Sequence, residues 1–198
     1  MNTEPITTVD ELVALLAAMG SAEGERLDQL AHGLQCGHEL AMASPEDIEL
    51  QVAGLVHDIG HAFFPRDDRI DHDLMHGIAA GDAVRELLGE RVATLVELHV
   101  PAKRYLVTVE SEYGGALSSM STVTLANQGG PMTDDEIAEF EALPDVAAAV
   151  ALRRPPSRRQ ASRPSCSRPR SLAPRSGAAR RRALARPSPP TFAPPELP

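Results

Sequence analysis

The sequence predicts an all-α fold, and three observations predict it. Apolar residues recur at helical spacing through most of the first 154 residues, capping-box signals precede two of these runs, and aromatic content is only 3% with no Trp. A core built from Leu, Val, Ala, Ile and Met favours helices over a β-sandwich. No βαβ alternation and no internal repeat interrupts the pattern.

Thr8 and Glu11 form the first capping box, ahead of Val9, Leu12, Leu15 and Leu16, and Gly20 ends that helix. A second helix is expected from about Glu25 to Ala43. Ser44-Pro45-Glu46 then reads as a cap, a first-turn proline and an early acid for a third helix, which carries Ile48, Val52, Leu55 and Val56 and ends on His57 and Asp58. Residues Phe63 to Asp71 read as a loop, with helical patterns following at about 72–89 and 91–99. A short irregular segment is expected around Tyr105 to Gly115. Thr133-Asp134-Asp135-Glu136 repeats the capping box, and Asp145 opens a last amphipathic run to Arg154.

A chain of 198 residues accommodates one domain with a sizeable core, here residues 1–154. The net charge of -9 hides two unlike parts: residues 1–152 hold 7 basic and 27 acidic side chains, whereas residues 153–198 hold 12 Arg and one acid, Glu196. An acidic body argues against nucleic acid as partner. No apolar stretch approaches the roughly 20 residues of a membrane helix, and the N-terminus lacks signal-peptide features, so no membrane association and a cytoplasmic location are expected. Cys36 and Cys166 lie far apart in unlike surroundings, and Cys36 reads as a small hydrophobe at a helix interface.

Eleven of the 17 prolines fall after Arg154, mixed with Arg, Ser and Ala. Residues 155–198 therefore read as a disordered Pro/Arg-rich tail. A GC-rich message translated out of frame yields such a composition, which makes a frame shift one explanation of it.

Six of the seven histidines fall within residues 32–76, and His99 completes the set. A lone His on a helix is usually structural, but the adjacent His57-Asp58 followed by His61 points to metal. Ile59-Gly60 would end the helix there, letting the pair serve one small centre, with the two oxygens of Asp58 available to two ions.

Through His32 and His57-Asp58 the sequence resembles the HD superfamily of metal-dependent phosphohydrolases and oxygenases, whose fold is a helical bundle. The run Leu98-His99-Val100-Pro101-Ala102-Lys103-Arg104-Tyr105-Leu106, with Ser118 to Leu125 and Gln128-Gly129-Gly130-Pro131-Met132, is similar to its phosphonate-degrading branch. The likeness covers about residues 20 to 154. It implies a mixed-valence Fe(II)/Fe(III) centre held by His32, His57, Asp58, His76 and His99, with Asp58 bridging, and dioxygen as co-substrate. The implied reaction splits the carbon–phosphorus bond of a 1-hydroxyphosphonate of the 2-amino-1-hydroxyethyl type, releasing phosphate and a carboxylate. His61 would sit beside the substrate. His38 and His72 match nothing in the family pattern and read as surface residues.

Lys103 is the only lysine, against 18 Arg. Its compact ammonium suits a phosphonate oxygen, and the resemblance gives Lys103, Ser121, Thr124 and Arg153 the phosphonate group. Ser121 and Thr124, three residues apart, share a helix face and can both donate to one anion. Glu25 matches an acid positioned to attract a substrate ammonium. Gln128-Gly129-Gly130-Pro131 reads as a turn without a catalytic role.

The sequence departs from the family pattern in two places. Where an Arg-Trp-Asp-Asp type segment should end the final helix and supply a sixth ligand, Arg153-Arg154 run into Pro155-Pro156. Losing that carboxylate should weaken one iron position. An aromatic residue expected three positions before Glu25 is replaced by Ala22, which leaves the choice among small hydroxyphosphonates open. Two further functions remain open at this point: a divalent-metal phosphohydrolase acting on a phosphate ester or nucleotide, and a binding protein without turnover.

Overall fold

A computed structural model describes residues 4–20, 29–64, 70–117 and 119–154. Among these, every regular element is helical: α1 (Val9–Gly20), α2 (Gln29–Ala43), α3 (Ile48–Val56), a 3-10 turn (Ile59–Ala62), α4 (Ile70–Leu88), α5 (Glu90–Val109), α6 (Ser111–Gly115), α7 (Ser119–Asn127), α8 (Asp134–Glu141) and α9 (Val146–Arg153). Glu25, Ala22, Cys166, the start expected for the second helix and the tail after Arg154 lie outside the described residues, as does the side chain of His72.

Both capping boxes form. Thr8 N–H donates to Glu11 Oε2 while Glu11 N–H donates to Thr8 Oγ1, and Thr133 and Glu136 exchange the same pair of bonds. The cap of α3 differs from expectation. Its capping residue is Asp47, whose side chain accepts from Leu50 N–H, and Ser44-Pro45 form the turn before it. An aspartate here also meets Arg91, whose guanidinium reaches Asp47, Glu49 and Asp145 and so ties the starts of α3, α5 and α9 together.

The fifth helix corrects the sequence reading most. Instead of stopping at His99 before an irregular stretch, α5 runs through Pro101 to Val109, and α6 follows at once. Proline forfeits only the bond to the Glu97 carbonyl. Burial of Val92, Leu95, Val96, Ala102 and Leu106 on the core side outweighs that loss.

α5 is the central rod, with α4 along one side, α3 and α9 against others, and α2 packed on α3. Leu40, Val56, Ile59, Val84, Leu95, Leu106, Phe140 and Leu152 are fully buried between them, and Tyr105 packs its ring on Phe140 at 5.0 Å. Cys36 lies in this core, its Sγ 3.7 Å from the Leu152 carbonyl, as a small hydrophobe.

Glycine sets how closely the helices approach. A Cβ on Gly33 would lie 2.3 Å from the Leu55 carbonyl oxygen, so α2 and α3 touch backbone to backbone. A Cβ on Gly60 would meet His76 O at 1.9 Å. Gly60 is therefore required for contact with α4 and not for a left-handed turn: the left-handed glycines among the described residues are Gly89, Gly129 and Gly130.

Candidate metal centre

Four helical segments bring five ligand-type side chains together. His32 comes from the first turn of α2, His57 from the cap position of α3, Asp58 from the residue between α3 and the 3-10 turn, His76 from α4 and His99 from α5. His57 keeps helical dihedrals as the cap of α3, Asp58 leaves them at φ -100° and ψ 4°, and the two side chains approach each other. Their ligand atoms form two groups, His32/His57/Asp58 and Asp58/His76/His99, each with its atoms within 4.8 Å of one another.

Asp58 is common to both. Its Oδ2 faces His32 Nε2 at 3.7 Å, and its Oδ1 faces His57 Nε2 at 3.4 Å and His99 Nε2 at 3.6 Å. His76 Nε2 and His99 Nε2 are 2.9 Å apart. Two imidazoles bound at right angles to one ion at about 2.1 Å would place their nitrogens about 3 Å apart. The donor set of imidazoles and a shared carboxylate thus fits a pair of transition-metal ions.

Backbone carbonyls orient two of the rings. His57 Nδ1 lies 2.8 Å from Gly54 O and His99 Nδ1 2.6 Å from Val96 O. A carbonyl can only accept, so each Nδ1 carries the proton and each Nε2 turns its lone pair to the site. Burial pushes both imidazoles below their ordinary pKa, which favours the neutral, ligating form; His32 and Arg153 push His57 the same way, and His76 and His57 push His99. For Asp58, burial opposes the charge, yet His57, His99, His61 and His76 together hold its carboxyl well below the usual carboxylate range. His61 stacks on His76 at 4.2 Å and belongs to neither ligand group.

Exposure is uneven. The His32 side chain is 36% exposed, whereas His76 and His99 are nearly sealed. The His32 side is the open face of the centre. His38 is exposed on α2.

The predicted anion residues divide. Lys103, one turn beyond His99 on the same face of α5, is buried, and its Nζ donates to Thr124 Oγ1 at 2.7 Å and to Gln128 Oε1 at 2.9 Å. Thr124 Oγ1 in turn donates to the Ser121 carbonyl at 3.2 Å. In this geometry its single proton is directed to the backbone, and it serves Lys103 as an acceptor. Arg153, in the last turn of α9, has a buried Nε with no hydrogen-bond partner among the described residues and acts electrostatically on His57 and Cys36. Gln128 was missed in the sequence because a Gln before two glycines looks like turn chemistry; its only signal was spacing, four residues after Thr124.

An all-helical domain that gathers four histidines around one shared aspartate has the donor set of a helical metal-binding protein. The chain belongs to the HD domain family, which matches residues 13–122. It is 39% identical over 159 residues to a hydroxymethylphosphonate dioxygenase of Gimesia maris, covering 78% of this chain and 79% of that protein. It is 36% identical over 135 residues to the glycine-betaine-forming [1-hydroxy-2-(trimethylamino)ethyl]phosphonate dioxygenase of Leisingera caerulea, covering 66% of this chain and 67% of the relative. An uncharacterised protein of Acanthamoeba polyphaga mimivirus is 32% identical over 158 residues, covering 75% of this chain and 70% of its own. Among the described residues no helix is long and apolar enough to cross a membrane.

Proposed function

We propose that this chain is an oxygenase that cleaves the carbon–phosphorus bond of a small 1-hydroxyphosphonate, of the 2-amino-1-hydroxyethyl type. The observation that carries the reading is the pair of ligand groups joined through Asp58, together with two relatives named as dioxygenases of hydroxyphosphonates. His32, His57, Asp58, His76 and His99 would hold two irons, which supply the redox capacity for dioxygen to react with the substrate. The overall change balances as R–CH(OH)–PO3H2 + O2 → R–COOH + H3PO4. One C–P bond and one C–H bond are broken, and both oxygen atoms end in the products.

The protein's own part is placement. Lys103, on the His99 face of α5, offers a buried ammonium to the phosphonate group, and its hydrogen bonds to an oxyanion are stronger for being charge-assisted and shielded from water. Arg153 adds a second cation from α9. His61, stacked on His76, would hydrogen-bond the substrate rather than a metal. Glu25 would attract a cationic amino group at the entrance.

We also read the segment after Arg154 as displacing the acid that would complete the His32 side of the centre, with a frame shift as its origin and residues 1–154 as the catalytic domain. The chain then holds less than two metals and turns over slowly. Oxygen uptake and phosphate release from hydroxymethylphosphonate, 2-amino-1-hydroxyethylphosphonate and its trimethylammonium analogue, on this chain and on one with an acid-bearing terminal helix restored, test both parts. Phosphate release from nucleotides without oxygen, and none from hydroxyphosphonates with it, would instead make the protein a hydrolase.

A further inference from the structure

Glycine is a poor residue for the middle of a helix, where alanine is the better former. Gly77 nevertheless stands eighth of the 19 residues of α4, buried and without a left-handed φ to require it. Its neighbour across the helix interface supplies the reason. A Cβ on Gly77 would lie 3.2 Å from His99 Cε1 and 3.4 Å from His99 Nδ1, with the Glu97 carbonyl oxygen next at 3.5 Å. Gly81, one turn further along α4, serves differently: a Cβ there would meet the Glu97 side chain at 2.5 Å and the Ala93 carbonyl oxygen at 2.9 Å, so it sets the spacing of α4 and α5. Gly77 faces an imidazole.

That imidazole is held from its other side. His99 Nδ1 donates to Val96 O at 2.6 Å, within its own helix, and the ring meets that of His76 at 64° with centroids 4.9 Å apart. Cε1 is bonded to both ring nitrogens. With Nδ1 tethered, whatever moves Cε1 moves Nε2, the atom that faces Asp58 Oδ1 at 3.6 Å and His76 Nε2 at 2.9 Å. A contact at 3.2 Å must open by at least 3.4 − 3.2 = 0.2 Å to become an ordinary one, and metal–ligand distances tolerate only about 0.2 Å. The preceding residue, His76, is where Gly60 presses from the 3-10 turn. Consecutive residues of α4 thus carry one ligand on a pinned backbone and receive the ring of another.

We infer that Gly77 is a positioning residue for His99, its missing side chain being the recess in α4 that seats the imidazole with Nε2 turned to Asp58 and His76. The inference deepens the proposed function, since it rests on His99 as a ligand of the Asp58/His76/His99 position.

The test compares the full chain with G77A. No contact of the added Cβ falls under 3.0 Å and alanine suits the helix, so the melting temperature should stay within about 4 °C of the parent. An unfolded G77A would make Gly77 a packing residue of the whole domain and overturn the inference. In metal-free protein labelled with 15N-histidine, His57 and His99 should each give a protected Nδ1–H signal, because each donates to a backbone carbonyl; H57Q and H99Q assign them. G77A should exchange the His99 proton about tenfold faster and leave the His57 proton at its parental rate. Both protons accelerated alike, or neither, overturns the positioning role. Titration with Co(II), followed by its visible absorption, should show the binding step that H99Q abolishes weakened about tenfold or more in G77A. Parental affinity at that step overturns the link to the metal position. If the parent takes up no Co(II), the reading of the centre as a metal site fails instead, and the two ring signals alone decide whether Gly77 seats His99.

Discussion

Replacing Gly60 by Ala should damage both the fold and the metal centre, although Gly→Ala usually stabilises by about 0.4–1 kcal/mol where the backbone tolerates it. Here the new Cβ would fall 1.9 Å from His76 O, 2.7 Å from its carbonyl carbon and 3.0 Å from its Cα. Non-bonded Cβ contacts under 3.0 Å are essentially never seen, so the 3-10 turn and α4 must separate by at least 3.0 − 1.9 = 1.1 Å. The obstacle is backbone, which no rotamer change relieves. Overpacking of this kind costs about 1–3 kcal/mol, and for a domain of this size should lower the melting temperature by about 5–10 °C. The metal effect should be larger. His76 is the residue displaced, Asp58 opens the displaced turn, and ligand distances tolerate only about 0.2 Å. Calorimetric unfolding and metal analysis of G60A would be set beside G115A, where the added Cβ meets nothing within 4 Å and both values should match the parent. Parental melting temperature and metal content in G60A would refute the close contact as the device that sets His76.

Asp58→Asn should empty both metal positions at once, since Asp58 serves both groups, whereas His32→Ala should spare the Asp58/His76/His99 position; metal counts per chain distinguish them. Arg91→Met should cost about 1 kcal/mol in urea unfolding at pH 7, as three helix starts lose a common, partly exposed partner. Hydrogen bonding from Arg91, against a smaller effect of burial, lowers Asp47 from its ordinary value of 3.8, so this contribution is complete above about pH 4 and is lost as pH falls through the lowered value. The parent and R91M should therefore differ by a constant amount between pH 5 and 8 and converge at lower pH; a gap that widens in acid would contradict the pairing. Burial, then the nearby Asp58 charge, pushes the Cys36 thiol up to about 12, so folded protein at pH 8 should resist alkylation at Cys36 and react there only on unfolding, as read by peptide mass mapping.

The helices and the candidate ligands were legible where the sequence writes local rules. Capping boxes at Thr8 and Thr133 and the apolar periodicity of α1, α3 and α9 depend on neighbours within four residues. The density of histidine around His57-Asp58 marked the centre before any distance was known. What the sequence hid depends on contacts between distant segments. Pro101 looks like a stop until the burial along α5 is seen to outweigh one missing bond. Asp47 takes the cap of α3 because Arg91, 44 residues away, needs it there. Gly60 and Gly33 are small because α4 and α3 press on them, and Gln128 is an acceptor only because Lys103 arrives from another helix.

Pro101 divides α5 between two tasks. His99 lies before it, anchored through Val96 O and the buried face of α4, and Lys103 lies beyond it, clamped to the end of α7. Helices bend most readily where a proline has removed a rung, so the segment bearing the ammonium can follow α7 while the segment bearing the imidazole stays with its neighbours. The rung missing at Pro101 falls between the segment carrying His99 and the segment carrying Lys103, so a shift at the α7 end meets the weakest point of the rod before it reaches the imidazole.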